Sequence, residues 1–335
     1  MSTLEPLIGQ RFAYASGRTG VLQQLLLSQP DIDRLLGAHD RKDTEKILTE
    51  LKLTSMIDQG ISTAEGMLKA VGAWMRAEVE LMSPEAKRPV FNIVWLERDR
   101  AVLSYLLKKY HKLTSGISKE PETSITAYSP ESLRTLVDEG KEVSLPSHLV
   151  QFVQQMRKEK ELSPQRIDAH VAQFIADLQL KLARASGSKL IIKYVTNSID
   201  VTNIRLALRN YSADERAESF IEGGEIPVKT LMGDKADVLK AVNRSSLPYE
   251  LDESIIKAGE DPIALERACA DVIAGDIADM WNVPLSIEPL FAFAAIALSN
   301  LFLIRSVLIG KGNELAPQEI KQMLPPFIPA THYRV

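Results

Sequence analysis

Three copies of one helical pattern, about one hundred residues apart, constrain this chain more than any other feature. The middle copy is NIRLALRNY, Asn203 to Tyr211, in which Ile204, Leu208 and Tyr211 stand at i, i+4 and i+7 and share one helix face. Arg205 and Arg209 are also four apart and flank that apolar stripe. The pattern returns as VLSYLLKKY, Val102 to Tyr110, and as LIRSVLIGK, Leu303 to Lys311. Leu103, Ile204 and Ile304 correspond, as do Leu107, Leu208 and Leu308. Arg205 and Arg305 recur at one place, Lys108 and Arg209 at another. The residue three before each copy is Asp99, Asp200 or Asn300. Such a period far exceeds the roughly 20 to 50 residues of solenoid repeats. It points to three domain-sized units, and 335 residues suffice for two or three domains.

A second landmark keeps step with the first. Long helices are expected to start at Ser62, Ser163 and Asp261, each about forty residues ahead of a motif copy. Helical signals dominate the chain, and no Asn-Gly or Asp-Gly turn joins alternating runs as a hairpin would require. Ser83-Pro84, Ser129-Pro130, Ser163-Pro164 and Asp261-Pro262 read as helix starts. The Ser or Asp oxygen accepts an otherwise orphaned N–H, and proline lacks the donor that would go unpaired. Ser62 with Glu65 reads as a capping box.

The expected course is an amphipathic helix from Arg11 to Leu27, short helices around Asp31 to Leu36 and Asp43 to Leu51, and long helices from Ser62 to Met82 and from Pro84 to Tyr110. The polar stretch His111 to Ser124 reads as a linker. A long helix from Ser163 is broken at Gly187-Ser188, and Gly223-Gly224 makes a tight turn before a short helix at Pro227. Another long helix starts at Asp261 and ends near Trp281. The last long one stops at Gly310, and Pro317 opens a final short helix. The domain limits that follow are residues 1–120, 121–217 and 218–335.

Composition narrows function mainly by exclusion. The formal net charge is -4, from 40 basic and 44 acidic residues, so no strong field for nucleic acid or an anionic surface arises. The single cysteine, Cys269, excludes an internal disulfide and reads as a buried, inert thiol. The N-terminal stretch lacks a basic segment followed by a long apolar run, so it does not read as a signal peptide. PLFAFAAIAL, Pro289 to Leu298, is the longest apolar run. A membrane span needs about 20 such residues, so this run reads as a buried helix.

Catalytic motifs are missing at every spacing where chemistry would need them. His39, His111, His148, His170 and His332 have no histidine partner at i+4, so no zinc motif forms. His39-Asp40 has no second His-Asp dipeptide and reads as a loop residue beside a helix cap. Lys311 is followed by Gly312 where a P-loop demands Ser or Thr to hold magnesium. No nucleophile elbow, dinucleotide fingerprint or DDxxD is present. No catalytic residue, cofactor or metal is expected. Arg205, Arg209 and Arg305 carry two readings: ion pairs with a neighbouring helix, or contacts with a partner protein.

The residues resemble the C-type subunit of archaeal-type and bacterial vacuolar-type rotary ATPases and, more distantly, the d-type subunit of the eukaryotic vacuolar enzyme. Tyr14, Ala15 and Arg18 in FAYASGRTGVLQQLLLS match that family's opening helix. Asn203, Ile204 and Arg205 match its middle-domain helix; Gly223, Gly224 and Glu225 match its glycine-pair segment. Arg305, Gly310 and Lys311 match its C-terminal helix. Leu303 stands where the family usually has Asn, and Val102 and Ser104 depart in the first copy.

The resemblance implies an all-α protein of three similar helical domains, arranged as a pseudo-three-fold funnel with no transmembrane helix. It implies a non-catalytic rotor subunit that links the central stalk to the membrane proteolipid ring and transmits torque for ATP-coupled proton or sodium transport. Expected partners are central-stalk rotor subunits and the proteolipid ring, with one copy per complex, no nucleic acid, and membrane reached only through partners. Its place would be peripheral, on the cytoplasmic face. Arg18, Asn203, Arg205, Arg209, Arg305 and Lys311 become candidates for partner contact or repeat packing, and Gly223 and Gly224 for the turn. An unrelated all-helical scaffold is the alternative, distinguished by an open superhelix.

Overall fold

The computed structural model describes residues 12–58, 60–114, 121, 125–141, 144–208, 218–248, 251–257, 261–324 and 327–328. Every regular element among the described residues is a helix. The Ser/Asp-Pro starts explain several of them directly. Ser129 and Ser163 accept the N–H groups of Ser132 and Arg166 at 3.3 and 3.1 Å, opening the Pro130–Glu139 and Pro164–Ser186 helices. Asp261 accepts from Ala264 at 3.0 Å and opens Pro262–Met280. Gly187, at φ 76°, closes Pro164–Ser186 in the left-handed region.

Four boundaries differ from the sequence expectation. The first helix is Ala13–Leu22, followed by a tighter 3-10 turn at Gln23–Leu25 instead of continuing to Leu27. The cap of Ala64–Met82 is Thr63, not Ser62: the Thr63 hydroxyl accepts Gly66 N–H at 3.2 Å. The stretch after Pro84 is a 3-10 segment, Glu85–Phe91, and the α-helix begins only at Asn92. Pro89 lies inside that segment and has no N–H for an α-helical ladder. The last long helix runs past Gly310 to Gly312. Gly310 instead lets the Pro317–Met323 helix approach, since a Cβ there would meet Ile320 Cγ1 at 2.6 Å.

The chain divides into two units. One comprises Met1–Phe91, Ser188–Tyr194 and Glu266–Val335. Its centre is the Glu288–Gly312 helix, packed by Ala64–Met82, Arg41–Glu50, Ala13–Leu22 and Pro317–Met323. Residues 289–298 of that helix are buried on every side, as expected of a helix apolar all round. Phe291 stacks at an angle on Phe91 at 6.5 Å and meets Tyr194 edge-on at 5.4 Å. By length and composition this helix could cross a membrane, but 72% of its apolar window is buried within the chain.

The other unit comprises Asn92–Gly187 and Val195–Leu265. Its core forms where the Asn92–Tyr110 helix packs along Pro164–Ser186 and against Pro130–Glu139 and Ser147–Lys158. Leu103, Leu107, Leu133, Val153, Ile167 and Val171 are each at most 1% exposed there. The short helices Val228–Leu231, Lys235–Val242 and Leu251–Lys257 pack in sequence within the same unit. The helix carrying the middle motif, Lys189–Ala207, begins in the first unit and continues in this one.

Candidate interaction and anchoring residues

The motif copies at Val102 and Leu303 lie wholly within helices, Asn92–Tyr110 and Glu288–Gly312. The middle copy is helical through Ala207, with Leu208 in a turn. Arg209 lies outside the described residues, as does most of the expected linker, residues 115–120 and 122–124. Leu103, Leu107, Ile204, Ile304 and Leu308 are buried and Leu208 is half-buried, so the shared stripe is core in the first and third copies and at Ile204 in the middle one.

The polar candidates are held by defined contacts. Asn203 is fully buried and clamps one residue twice: its Nδ2 donates to Ile221 O at 2.7 Å, and its Oδ1 accepts Ile221 N–H at 2.9 Å. That bond pair is a carboxamide mimicking a strand neighbour, since the amide group supplies both a donor and an acceptor. Arg305 pairs with Glu65 at 3.0 Å. Lys108, at the neighbouring basic position of the first copy, pairs with Asp168 at 2.6 Å. Lys311 is buried and donates to Ala38 O at 2.6 Å, satisfying a carbonyl at the end of the Gln29–Gly37 helix. Arg18 forks onto Glu78 at 3.0 and 3.3 Å. Arg205 is half-buried beside the apolar stripe. On the Ala13–Leu22 helix, Tyr14 and Val21 are two turns apart and 63% and 57% exposed.

The three residues ahead of the motif copies do the same work in three places. Asp99 accepts Ala127 N–H at 2.6 Å and Tyr128 N–H at 3.1 Å. Asp200 accepts Glu225 N–H at 2.9 Å and Ile226 N–H at 3.1 Å. Asn300 Oδ1 accepts Leu27 N–H at 2.9 Å. Each held segment leads directly into a proline-marked short helix, at Pro130, Pro227 or Pro30. All three acceptors are at most 3% exposed. The sequence marks their recurrence but not their partners, which lie 25 to 29 residues downstream or, for Asn300, 273 upstream.

Electrostatics separate the copies. Burial pushes the Asp200 carboxyl up to about 6, opposed by its two N–H donors and raised further by Glu225. Burial, with the Asp99 charge adding to it, pushes the Tyr128 hydroxyl up to about 12. Gly223 takes φ 110°, and a Cβ on Gly224 would run into the Asp200 carboxylate, so the glycine pair is what lets the backbone close on that group. A cavity of about 340 Å³ opens beside this segment, lined by the charged Glu225, Lys229, Asp237, Lys240 and Arg244 together with the apolar Ile226, Pro227 and Ala241.

Asp40 of the His39-Asp40 pair caps the Arg41–Glu50 helix through Asp43 N–H at 2.9 Å. Among the described residues, no three His, Cys, Asp or Glu side chains group closely enough to hold a metal ion. Cys269 is fully buried.

Residues 15–323 match the sequence model of a family described as ATP synthase (C/AC39) subunit. No curated protein matches the chain.

Proposed function

The chain belongs to the ATP synthase (C/AC39) subunit family, and from that premise we propose that it is a non-catalytic rotor subunit of a vacuolar- or archaeal-type ATPase. In this reading it joins the central stalk to the membrane proteolipid ring and passes torque between them, coupling ATP turnover to proton or sodium movement. The observation that carries the proposal is the match along 15–323, nearly the whole chain. The three motif copies support it further, because each is preceded by the same buried anchoring scheme. A torque transmitter has to resist shear, and long helices cross-linked by buried hydrogen bonds between distant segments do so. The chemistry of such a part is contact and stiffness, so no reactive group is required of it.

The remaining details belong to the same proposal. Three similar helical domains surround a pseudo-three-fold axis, with limits near residues 120 and 217. One copy serves each complex, at the cytoplasmic face, and it reaches the membrane through partner proteins alone. Arg209, on the polar side of the middle motif, is assigned to a partner contact. The test is mass spectrometry of a gently solubilised membrane complex containing this chain. The expected result is one copy co-migrating with stalk and proteolipid subunits, released by chaotrope and not by detergent alone. Recovery only as free protein, in cells that hold the assembled ATPase, would overturn the reading. Arg209→Glu is expected to lower the assembled fraction while leaving the thermal melt of the isolated chain unchanged.

A further inference from the structure

Counted from each anchored segment, the chain repeats one order of α-helices: short helices, a long helix, then a motif helix. In the first copy these are Gln29–Gly37, Arg41–Glu50, Ala64–Met82 and Asn92–Tyr110. In the second they are Pro130–Glu139, Ser147–Lys158, Pro164–Ser186 and Lys189–Ala207. Each anchor holds the head of the copy that follows. Asp99 of the first copy takes Ala127 and Tyr128, and Asp200 of the second takes Glu225 and Ile226. Asn300 of the third takes Leu27, at the head of the first, so the order of hand-over is cyclic. Packing repeats with it. Asn92–Tyr110 packs against Pro130–Glu139, Ser147–Lys158 and Pro164–Ser186, and Glu288–Gly312 against Gln29–Gly37, Arg41–Glu50 and Ala64–Met82. The hand-overs differ in how the chain joins them. At Asp99 and Asp200 the held residue follows within 25 to 29 residues; between Leu27 and Asn300 lie 273. The third is instead fastened by contact: Lys311 donates to Ala38 O at 2.6 Å, and Pro317–Met323, seated on Gly310 through Ile320, packs on Gln29–Gly37.

We propose that Leu27 to Glu50 is a strap: the short helices of the first copy, fastened to the motif helix of the third, which open and close on Asn300 as one unit without disturbing the helices held by Asp99. Two features let the strap lift alone. Its anchor is one bond to a neutral amide, where Asp99 and Asp200 each accept two N–H groups on a carboxylate. Its other polar fastening keeps the Lys311 ammonium buried against a carbonyl, and water solvates that charge once the strap lifts. Helices of nine and ten residues do not persist alone in water, so a lifted strap also loses its helical hydrogen bonds. Each anchor and the helices it holds lie within one unit of the chain, so the strap and the Asp99 module belong to separate units.

Hydrogen exchange on the full chain, read residue by residue and corrected for intrinsic exchange, tests this. In Asn300→Ala the Leu27 N–H is stranded when the strap is closed, so exchange at Leu35, Leu36 and Leu48 is expected to rise together by about tenfold. Exchange at Leu133, Leu136 and Val137, in the Pro130–Glu139 helix, is expected to stay as in the wild type. Asp99→Ala is expected to give the reverse pattern. Should either variant fail to fold, the wild-type chain in urea below its unfolding transition decides instead. Leu35, Leu36 and Leu48 sharing one opening curve, distinct from that of Leu133, Leu136 and Val137, supports the strap. A single curve for all six amides, a Leu48 that stays protected while Leu35 and Leu36 exchange, or an Asn300→Ala chain in which both groups rise alike, overturns it.

Discussion

Asp200 and Asn300 occupy one place in two copies of a motif, and each takes backbone N–H from a segment about to enter a short helix. Their helices differ. Lys189–Ala207 buries Asn197, Asp200 and Asn203 within two turns. Glu288–Gly312 buries ten consecutive residues, 289–298, without a polar side chain among them. The polar helix gains specificity of position from bonds that only one alignment of the chain can make. The apolar helix gains burial, which is large but tolerant of small shifts. One anchoring position thus serves a part of the chain fixed by hydrogen bonds and a part fixed by packing.

The comparison breaks first where packing dominates. Phe291→Ala removes a fully buried ring that touches Phe91 and Tyr194, and is expected to lower unfolding free energy by about 3–5 kcal/mol in a urea titration. A loss under about 1 kcal/mol would mean that the ring is not close-packed.

Asn203→Ala strands both the N–H and the carbonyl of Ile221, and a loss of about 3–4 kcal/mol is expected from two buried groups left unsatisfied. Asn300→Ala strands only Leu27 N–H, so about half that loss is expected. Equal losses would show that bond count is not what separates these two sites.

The third prediction turns on sign. The Asp200 carboxyl is raised from 3.8 to about 6 in the folded chain, so its stabilising contribution is whole below the lower value and is lost as pH rises through the upper one. Wild-type stability relative to Asp200→Asn is therefore expected to decline by about 2 kcal/mol between about pH 4 and about pH 7. A difference that stays flat, or grows with pH, contradicts the burial argument. Asn300→Asp should transplant the same decline to the third copy.

The smallest effect is expected at the ion pairs. Glu65 is 57% exposed and Asp168 53%, so solvent screens both pairs. Arg305→Ala and Lys108→Ala are each expected to change stability by less than about 1 kcal/mol, with double-mutant coupling to the acid partner of a few tenths.

Local chemistry was readable wherever the deciding partner sits within one turn. Ser129, Ser163 and Asp261 cap helices because the N–H they accept is three residues away. The shift from Ser62 to Thr63, and the 3-10 stretch around Pro89, were decided by choices between nearly equivalent local geometries. Asp99, Asp200 and Asn300 were visible as a recurrence without a role, because nothing in the intervening 25 to 273 residues marks which N–H they will meet. Gly310 looked like a helix stop and is a site of close approach, since the side chain that needs the space, Ile320, arrives from another helix.

By itself the sequence determined an all-helical chain, the hundred-residue recurrence, the apolar stripe of each motif and most helix starts, since periodicity and capping act over a few residues. Tertiary structure alone decided that Asn203 clamps Ile221, that Lys311 closes the Gln29–Gly37 helix at Ala38, and that Asp200 is buried beside a like charge. Those outcomes depend on which distant segments pack together and how much water their packing removes. Burial of a carboxylate, unlike its position in a helix, is a property of the assembled neighbours.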